Sequence, residues 1–497
     1  MSIQRNLFRK IGSIVLISVM FLMVTKLRMP ISTAFSADGD EPLGKIENVF
    51  PDPGLAKSIA KILGKSKTDD VYSSELEGVK TLSASGAGIS NLEGIQHLTG
   101  LHYLDLMSNS ITDINAISGL TNLGEIRLDN NKISELGALS GLKNLPILHL
   151  YGNRISDVGP LSELTNLQEL GLASNQIVDV SPLSGLTKLG LLSLNNNKIT
   201  DISALSGLIN LWELLSNRNQ ISEISALSNL TKLRTLWLKN NQINQIDSLS
   251  NLSGLNGLFL SDNQIDNVSA LSQLTNLQSL SLFNNQISNI DALANLVNLT
   301  TLYLSNNQIN NVDALSELTN LKILYLFDNQ ISSVDGLRGL TNLTFLDLNN
   351  NNITNISTLS GMTNLVDLNL NYNPISEISA LSELPNLHAL RLYDSSVTKE
   401  TICSSTWLTK LTSLYFKNLK YNDVARLGAI VDIFEDPNFT ETVADILGKS
   451  VRDFISRRDL YCMTNQEISD LAMAEVESPA NSFRTRQPDL PIFHRFG

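Results

Sequence analysis

From Leu101 onward, apolar and polar residues follow the phrase Leu-x-x-Leu-x-Leu-x-x-Asn-x-Ile, which returns every 22 residues. Its asparagine falls at Asn109 and at each twenty-second position to Asn373, thirteen times without interruption. A degenerate copy with Ala87 at the asparagine place precedes these, and another with Ser395 there follows. A fixed period of this length marks a repeat array, so the 497 residues are not to be divided by the usual domain-size rule.

Within each copy, Leu-x-Leu has the period of a strand with one buried face. Leu104 and Leu106, or Leu236 and Leu238, are expected to point inward and the residues between them outward. The asparagine turns the chain, and its amide suits the backbone groups that a turn leaves unpaired. Looser apolar spacing follows, as in Ile243, Ile246, Leu249 and Leu252, too short for a long helix and suited to a 3-10 or irregular return. Such a coil buries its leucines only against its neighbours. The pattern therefore predicts a leucine-rich-repeat solenoid, an α/β-type horseshoe of about 15 coils with a parallel sheet lining a concave face roughly 70 Å long. The asparagine row occupies one fixed corner of every coil, which predicts a structural role and not a polar binding row. One copy departs: Leu214-Leu215-Ser216 places serine at a core position, where a local defect or slight bend is expected.

An open solenoid needs capped ends. Residues 50–64 carry helix punctuation: Asp52 as N-cap, Pro53 at the first helical position and Gly64 at the stop. Leu55, Ile59, Ile62 and Leu63 then share a face that covers the first coil. The phrase returns 384 residues later, where Phe434, Asp436, Pro437, Ala444, Ile446, Leu447 and Gly448 repeat Phe50, Asp52, Pro53, Ala60, Ile62, Leu63 and Gly64. Between array and second cap, Leu411, Leu414 and Phe416 suggest one last irregular coil. The Gly-Lys-Ser triplets at 64–66 and 448–450 lack the glycine that a phosphate loop needs five places earlier, where Ile59 and Val443 stand.

At the start of the chain, Arg5, Arg9 and Lys10 precede an uncharged run from Ile11 to Val24, with small residues at Ser32 to Ala34 and at Ser36 and Ala37. That run fits a signal peptide and is short for a membrane span of about 20 residues. An uncleaved anchor is the competing reading, and either places the array outside the cytoplasm. The expected organisation is a signal peptide over 1–37, a helical cap over 38–78 and the array over 79–397. A degenerate coil and linker over 398–430, a second cap-like segment over 431–474 and a mobile tail over 475–497 follow.

Twelve aromatic residues lie between Leu101 and Val397, and all fall in the variable positions of the strand half, only five of each 22. Tyr103 and Tyr151 are two of them. The other ten are candidate partner-binding residues: Trp212, Trp237, Phe259, Phe283, Tyr303, Tyr325, Phe327, Phe345, Tyr372 and Tyr393. Trp237, Phe259, Tyr303 and Tyr325 stand four places before an asparagine, where alternation aims them outward. From Trp237 to Phe345 they make an aromatic patch of the kind that marks interaction sites. The competing reading is that the rings cover one another and stiffen the sheet. Arg234, Lys239, Glu213 and Asp347 flank the patch, and Arg127, Asp105 and Arg391 mark its ends. Each is read first as a solvated surface charge.

Composition narrows the function. A net charge of −13 argues against a nucleic-acid partner. His97, His102, His149, His388 and His494 are not spaced as metal ligands, and no nucleophile motif appears, so neither enzyme chemistry, a small-molecule substrate nor a cofactor is expected. His149 projects like the aromatics and reads as a contact residue. Cys403 and Cys462 are too few for a disulfide framework and are read first as unpaired or buried thiols, with a Cys403–Cys462 bridge as the competing reading.

The cap phrase Phe-Pro-Asp-Pro to Ile-Leu-Gly-Lys at 50–65, the coil phrase Asp-Ile-Ser-Ala-Leu-Ser-Gly-Leu at 201–208 and the signal together resemble the internalin family of Gram-positive bacterial surface proteins. The resemblance covers about residues 1–400. It implies an exported, adhesin-like virulence protein, secreted or at the cell surface and monomeric, whose concave face recognises a host cell-surface protein. An envelope protein binding cell-wall polymer or copies of itself is the alternative. No Leu-Pro-x-Thr-Gly sorting motif is found, and residues 400–430 lack the alternating strands of a sandwich domain.

Overall fold

The structure is a computed structural model that describes residues 40–411, 413–415, 426–429, 444, 454–456 and 462. The signal segment, Phe416, the tail and most of the second cap-like segment lie outside the described residues.

Sixteen three-residue strands, from Thr81–Ser83 to Ser413–Tyr415, pair in sequence order into one parallel sheet. The register advances by one coil per strand, so Leu236 lies between Leu214 and Leu258, and Trp237 pairs with Phe259. Fifteen strands belong to the array and the sixteenth to the coil expected from Leu411 and Leu414. The return side carries 3-10 turns, such as Asp247–Leu249 and Ser203–Gly207. Both strand leucines of nearly every coil are fully buried, as are the isoleucines of the turn. Burying each such side chain contributes about 1.5–3 kcal/mol, which explains how units with little structure of their own are stable in a stack.

The asparagine corner works as the period predicts. Asn131 Nδ2 donates to the carbonyls of Leu106 and Leu128, each at 3.0 Å, while its Oδ1 accepts from the Ile111 N–H at 3.0 Å. One amide thus joins two coils. The residue before each asparagine is left-handed, with φ between 52° and 58° at the twelve non-glycine positions and at Asp394 before Ser395. That conformation explains why asparagine, aspartate or Gly152 commonly stands there. A second asparagine ladder, unnoticed in the sequence, runs along the coil's other edge: Asn166 Nδ2 donates to Lys143 O at 2.9 Å and Asn210 Nδ2 to Thr187 O at 2.8 Å.

The bend expected at Ser216 does not form. The strand Glu213–Leu215 stays in register on both sides, Ser216 N–H donates to Trp237 O at 2.8 Å, and Ser216 Oγ accepts from Asn219 Nδ2 at 3.3 Å. The hydroxyl is accommodated by the asparagine already present.

At the N-terminus, the helix Pro53–Leu63 begins at Asp52, and Gly64, at φ 66°, ends it. Asp52 Oδ1 caps the Gly54 and Leu55 N–H groups at 2.9 and 3.1 Å. Its Oδ2 accepts from the backbone of Ser90 and Asn91, at 2.8 and 3.2 Å, so one carboxylate ties the cap to the first coil. Gly94, at φ 97°, admits the cap: a Cβ there would strike the Val49 carbonyl. Beside the helix, Pro42–Lys45 pairs antiparallel with Asp70–Tyr72. Arg426–Ala429 and Phe454–Ser456, displaced by the same 384 residues, pair antiparallel with the same register shift after the first residue.

The cysteines are not free. Cys403, in the helix Lys399–Ser404, forms a disulfide with Cys462. Their separation of 59 residues hid the pairing, because spacing along a chain does not report where it returns.

Candidate binding face

The strands project two residues each toward the concave side, in rows that run across the coils. No ring of the array enters the core; the one fully buried aromatic among the described residues is Phe50 of the cap. The rings gather into two stacks. Trp237 and Phe259 lie face to face, with centroids 3.7 Å apart and planes at 11°. Tyr303 and Tyr325 stack at 5.0 Å, Phe345 joins Tyr325 at 4.7 Å, and Phe327 meets Tyr325 edge-on at 6.4 Å. Phe283 reaches Phe327 at 5.9 Å. All seven are half-buried. Burial among the neighbouring rings, with the charges of Tyr303, Asp347 and Asp367 adding to it, pushes the Tyr325 phenol up to about 12.

Between and beneath the stacks lie serines, absent from the expected site. Ser281 separates Phe259 from Tyr303 in their row and bonds Ser261, with the two hydroxyl oxygens 2.5 Å apart. Both serines and Ser305 are buried. A small residue every second coil leaves each ring room to lie down, and the signal was the alternation Ser261, Phe283, Ser305, Phe327 at the period of 22.

Three candidates stand apart from these stacks. Trp212 is 47% exposed at the edge of the sheet, with its indole over Gly190. Tyr372 and Tyr393 form a separate exposed pair, edge to face at 5.5 Å.

The charges divide the face. Toward the N-terminus, Arg127 Nε pairs with Glu125 at 2.6 Å and lies 5.9 Å from the Tyr103 ring centre. His149 Nε2 bonds Glu169 at 3.0 Å. Burial lowers the affinity of His149 for its proton, but the bond to Glu169 and the charge of Asp129 outweigh it and hold the imidazole above its ordinary value. Toward the C-terminus, Arg391 pairs with Asp367 through both nitrogens. Contrary to the expectation of solvated charges, Glu213 and Asp347 are buried, at 5% and 6% exposed. Burial raises both carboxyls, Asp347 to about 6, because each lies on the sheet floor beneath larger neighbours. Arg234 lies across the next coil and donates to Gly254 O at 3.2 Å. Among the described residues no group of side chains suits a metal ion, and no helix is long and apolar enough to cross a membrane.

A family model described as Leucine Rich repeats (2 copies) matches residues 99–144, 143–185, 165–207, 214–254, 253–295, 297–339, 319–361 and 341–383, together more than half of the chain. Internalin H of Listeria monocytogenes is 46% identical over 65 residues, 13% of this chain and 12% of that protein. The matched stretch is thus a small part of that relative's length. The crystal structure of an internalin (inlF) from Listeria monocytogenes is 36% identical, with a TM-score of 0.60, over 70% of this chain and 97% of that one. The functional domain of InlJ from Listeria monocytogenes is 27% identical, with a TM-score of 0.66, over 75% of this chain and 80% of that one.

Proposed function

The chain belongs to the internalin family of leucine-rich-repeat proteins, and from that premise we propose that it is an exported, adhesin-like protein that holds a host cell-surface protein on its concave face. One observation carries the reading: every aromatic of the array projects from the sheet, where a partner can reach it, and none serves the core. Rings that are already half-buried lose little freedom on binding, so their contact area is gained at low entropic cost. Export rests on the apolar segment near the N-terminus and on the Cys403–Cys462 disulfide, which suits an oxidising compartment. The partner-binding residues of the proposal are Trp237, Phe259, Phe283, Tyr303, Tyr325, Phe327 and Phe345, with Trp212, Tyr372 and Tyr393 as outlying contacts.

The test compares the protein with a Trp237→Ala, Phe259→Ala, Tyr325→Ala variant for saturable binding to intact mammalian cells, with circular dichroism and melting beside it. Loss of binding at unchanged folding supports the proposal. Equal binding by both, or none by either, moves the assignment to an envelope protein that binds wall polymer or its own copies. Early melting of the variant would mean that the stacks chiefly stiffen the sheet.

A further inference from the structure

Over five strands of the array, the row six places before the ladder asparagine holds a glutamate on every second strand. Glu125, Ile147, Glu169, Leu191 and Glu213 are successive register partners. The spacing sets the carboxylates about 10 Å apart along the face. The row two places further on supplies basic partners to the first two, Arg127 to Glu125 and His149 to Glu169. At the third glutamate that row offers Leu215 and then Trp237. No cation among the described residues faces Glu213, although it is the most buried of the three. The indole N–H of Trp237 is directed at its carboxylate without reaching hydrogen-bond geometry, and Trp237 Nε1 has no other partner.

A carboxylate this far removed from water and faced by no cation is costly, and a chain that pairs the same row twice has the means to pair it a third time. We propose that the partner supplies the missing cation: a lysine or arginine side chain enters at Glu213, its aliphatic stem across Leu191 and Leu215 and its head between the Glu213 carboxylate and the edge of the Trp237–Phe259 stack. Leu191 and Leu215 are half-buried, so they offer apolar surface for such a stem. The stacked rings add a face for the cation. The inference rests on the reading of the concave face as the binding surface and adds to it the chemistry of one anchoring residue.

The probe is acetyl-arginine amide, with acetyl-citrulline amide as its uncharged twin, added to the full chain while the Trp237 indole N–H resonance is followed by NMR. A saturable shift with the arginine probe alone is expected, weakened at least about tenfold in Glu213→Gln. A second variant, Leu215→Arg, places a cation beside Glu213 as Arg127 stands beside Glu125, and is expected to abolish the shift in a folded protein. Equal shifts with both probes, an unmoved resonance, or unchanged binding by either variant would overturn the inference. Cell binding by the same proteins separates the two claims. Cells bound while the probe fails sinks only the arginine-lysine subsite, and a probe response without cell binding sinks only the host-protein reading.

Discussion

Phe283 and Phe327, two coils apart, lean together above Ser305 until their ring centres are 5.9 Å apart, and they close its hydroxyl off from water with no hydrogen-bond partner. Adjacent strands stand about 4.8 Å apart, so rings held upright would be near 10 Å from each other. The pair has closed over the serine because nothing larger holds it open. An unpaired buried hydroxyl costs about 1–3 kcal/mol, and an alanine fills the same space without it. Ser305→Ala is expected to raise stability by about 1 kcal/mol in urea melts, with the rings in place. A loss of stability would show that the hydroxyl has a partner after all.

The Asn ladder allows a matched comparison. Asn131 and Asn307 make the same bonds, Asn307 Nδ2 to Leu282 and Leu304 carbonyls at 3.0 and 2.9 Å and its Oδ1 from Ile287 N–H at 3.0 Å. Asn131 is 8% exposed and Asn307 is more open. Water can replace a lost amide at an open corner and cannot at a closed one. Asn131→Ala should therefore cost about 3 kcal/mol, and Asn307→Ala clearly less. Equal losses would mean that geometry and not burial sets the worth of the ladder.

These cases show what the sequence could and could not deliver. The solenoid, its inward leucines and its asparagine corner were legible because each rests on a period that one coil imposes on the next. The Asp52 cap was legible as local punctuation. Its second role on Ser90 and Asn91 was not, because it depends on where the helix docks. The outward placement of the rings followed from alternation, but their division into two stacks depends on Ser281 and on side-chain tilt. The buried state of Glu213 and Asp347 escaped for a related reason: a residue that points off a sheet is solvated only if its neighbours are small. The Cys403–Cys462 bond is only the second reading of the sequence because no period connects those residues.

Asp52 predicts how the cap is lost. Burial alone would raise its carboxyl, but the backbone donors of Ser90, Leu55, Asn91 and Gly54 together hold it below the ordinary carboxylate value. A depressed carboxylate contributes stability above its unfolded value near 3.8 and loses it as pH falls through the folded value. Asp52→Ala is expected to cost on the order of 2–4 kcal/mol at neutral pH, with amide exchange rising first between residues 46 and 98. The difference between parent and variant should shrink on acidification. A constant difference would assign the loss to packing.

Arg218 predicts a gain. It holds φ 56° at the position where most coils place asparagine or aspartate, and it adds a like charge beside Lys239. A left-handed side chain of this kind costs roughly 1 kcal/mol, and asparagine tolerates the conformation better. Arg218→Asn should raise the melting temperature without altering the sheet, and no change would place the strain below measurement.

Asp347 makes stability depend on pH in the opposite sense to Asp52. Burial is the main cause of its rise to about 6, and the charge of Asp367 adds to it against the Asn349 N–H, the Asn369 amide and Arg391. In the unfolded chain the same carboxyl ionises near 3.8. The native protein therefore favours the protonated acid, and its stability falls as pH rises from about 4 through about 6. A displacement of that size corresponds to about 3 kcal/mol at neutral pH. Asp347→Asn keeps an oxygen for the Asn349 N–H, which Asp347 accepts at 3.0 Å, and removes the charge. The variant should be the more stable protein at pH 7.5, by up to that amount, and indistinguishable from the parent below pH 4. Were the parent the more stable at pH 7.5, the ionised carboxylate would have to be satisfied by Arg391 and Asn369 far better than its burial allows.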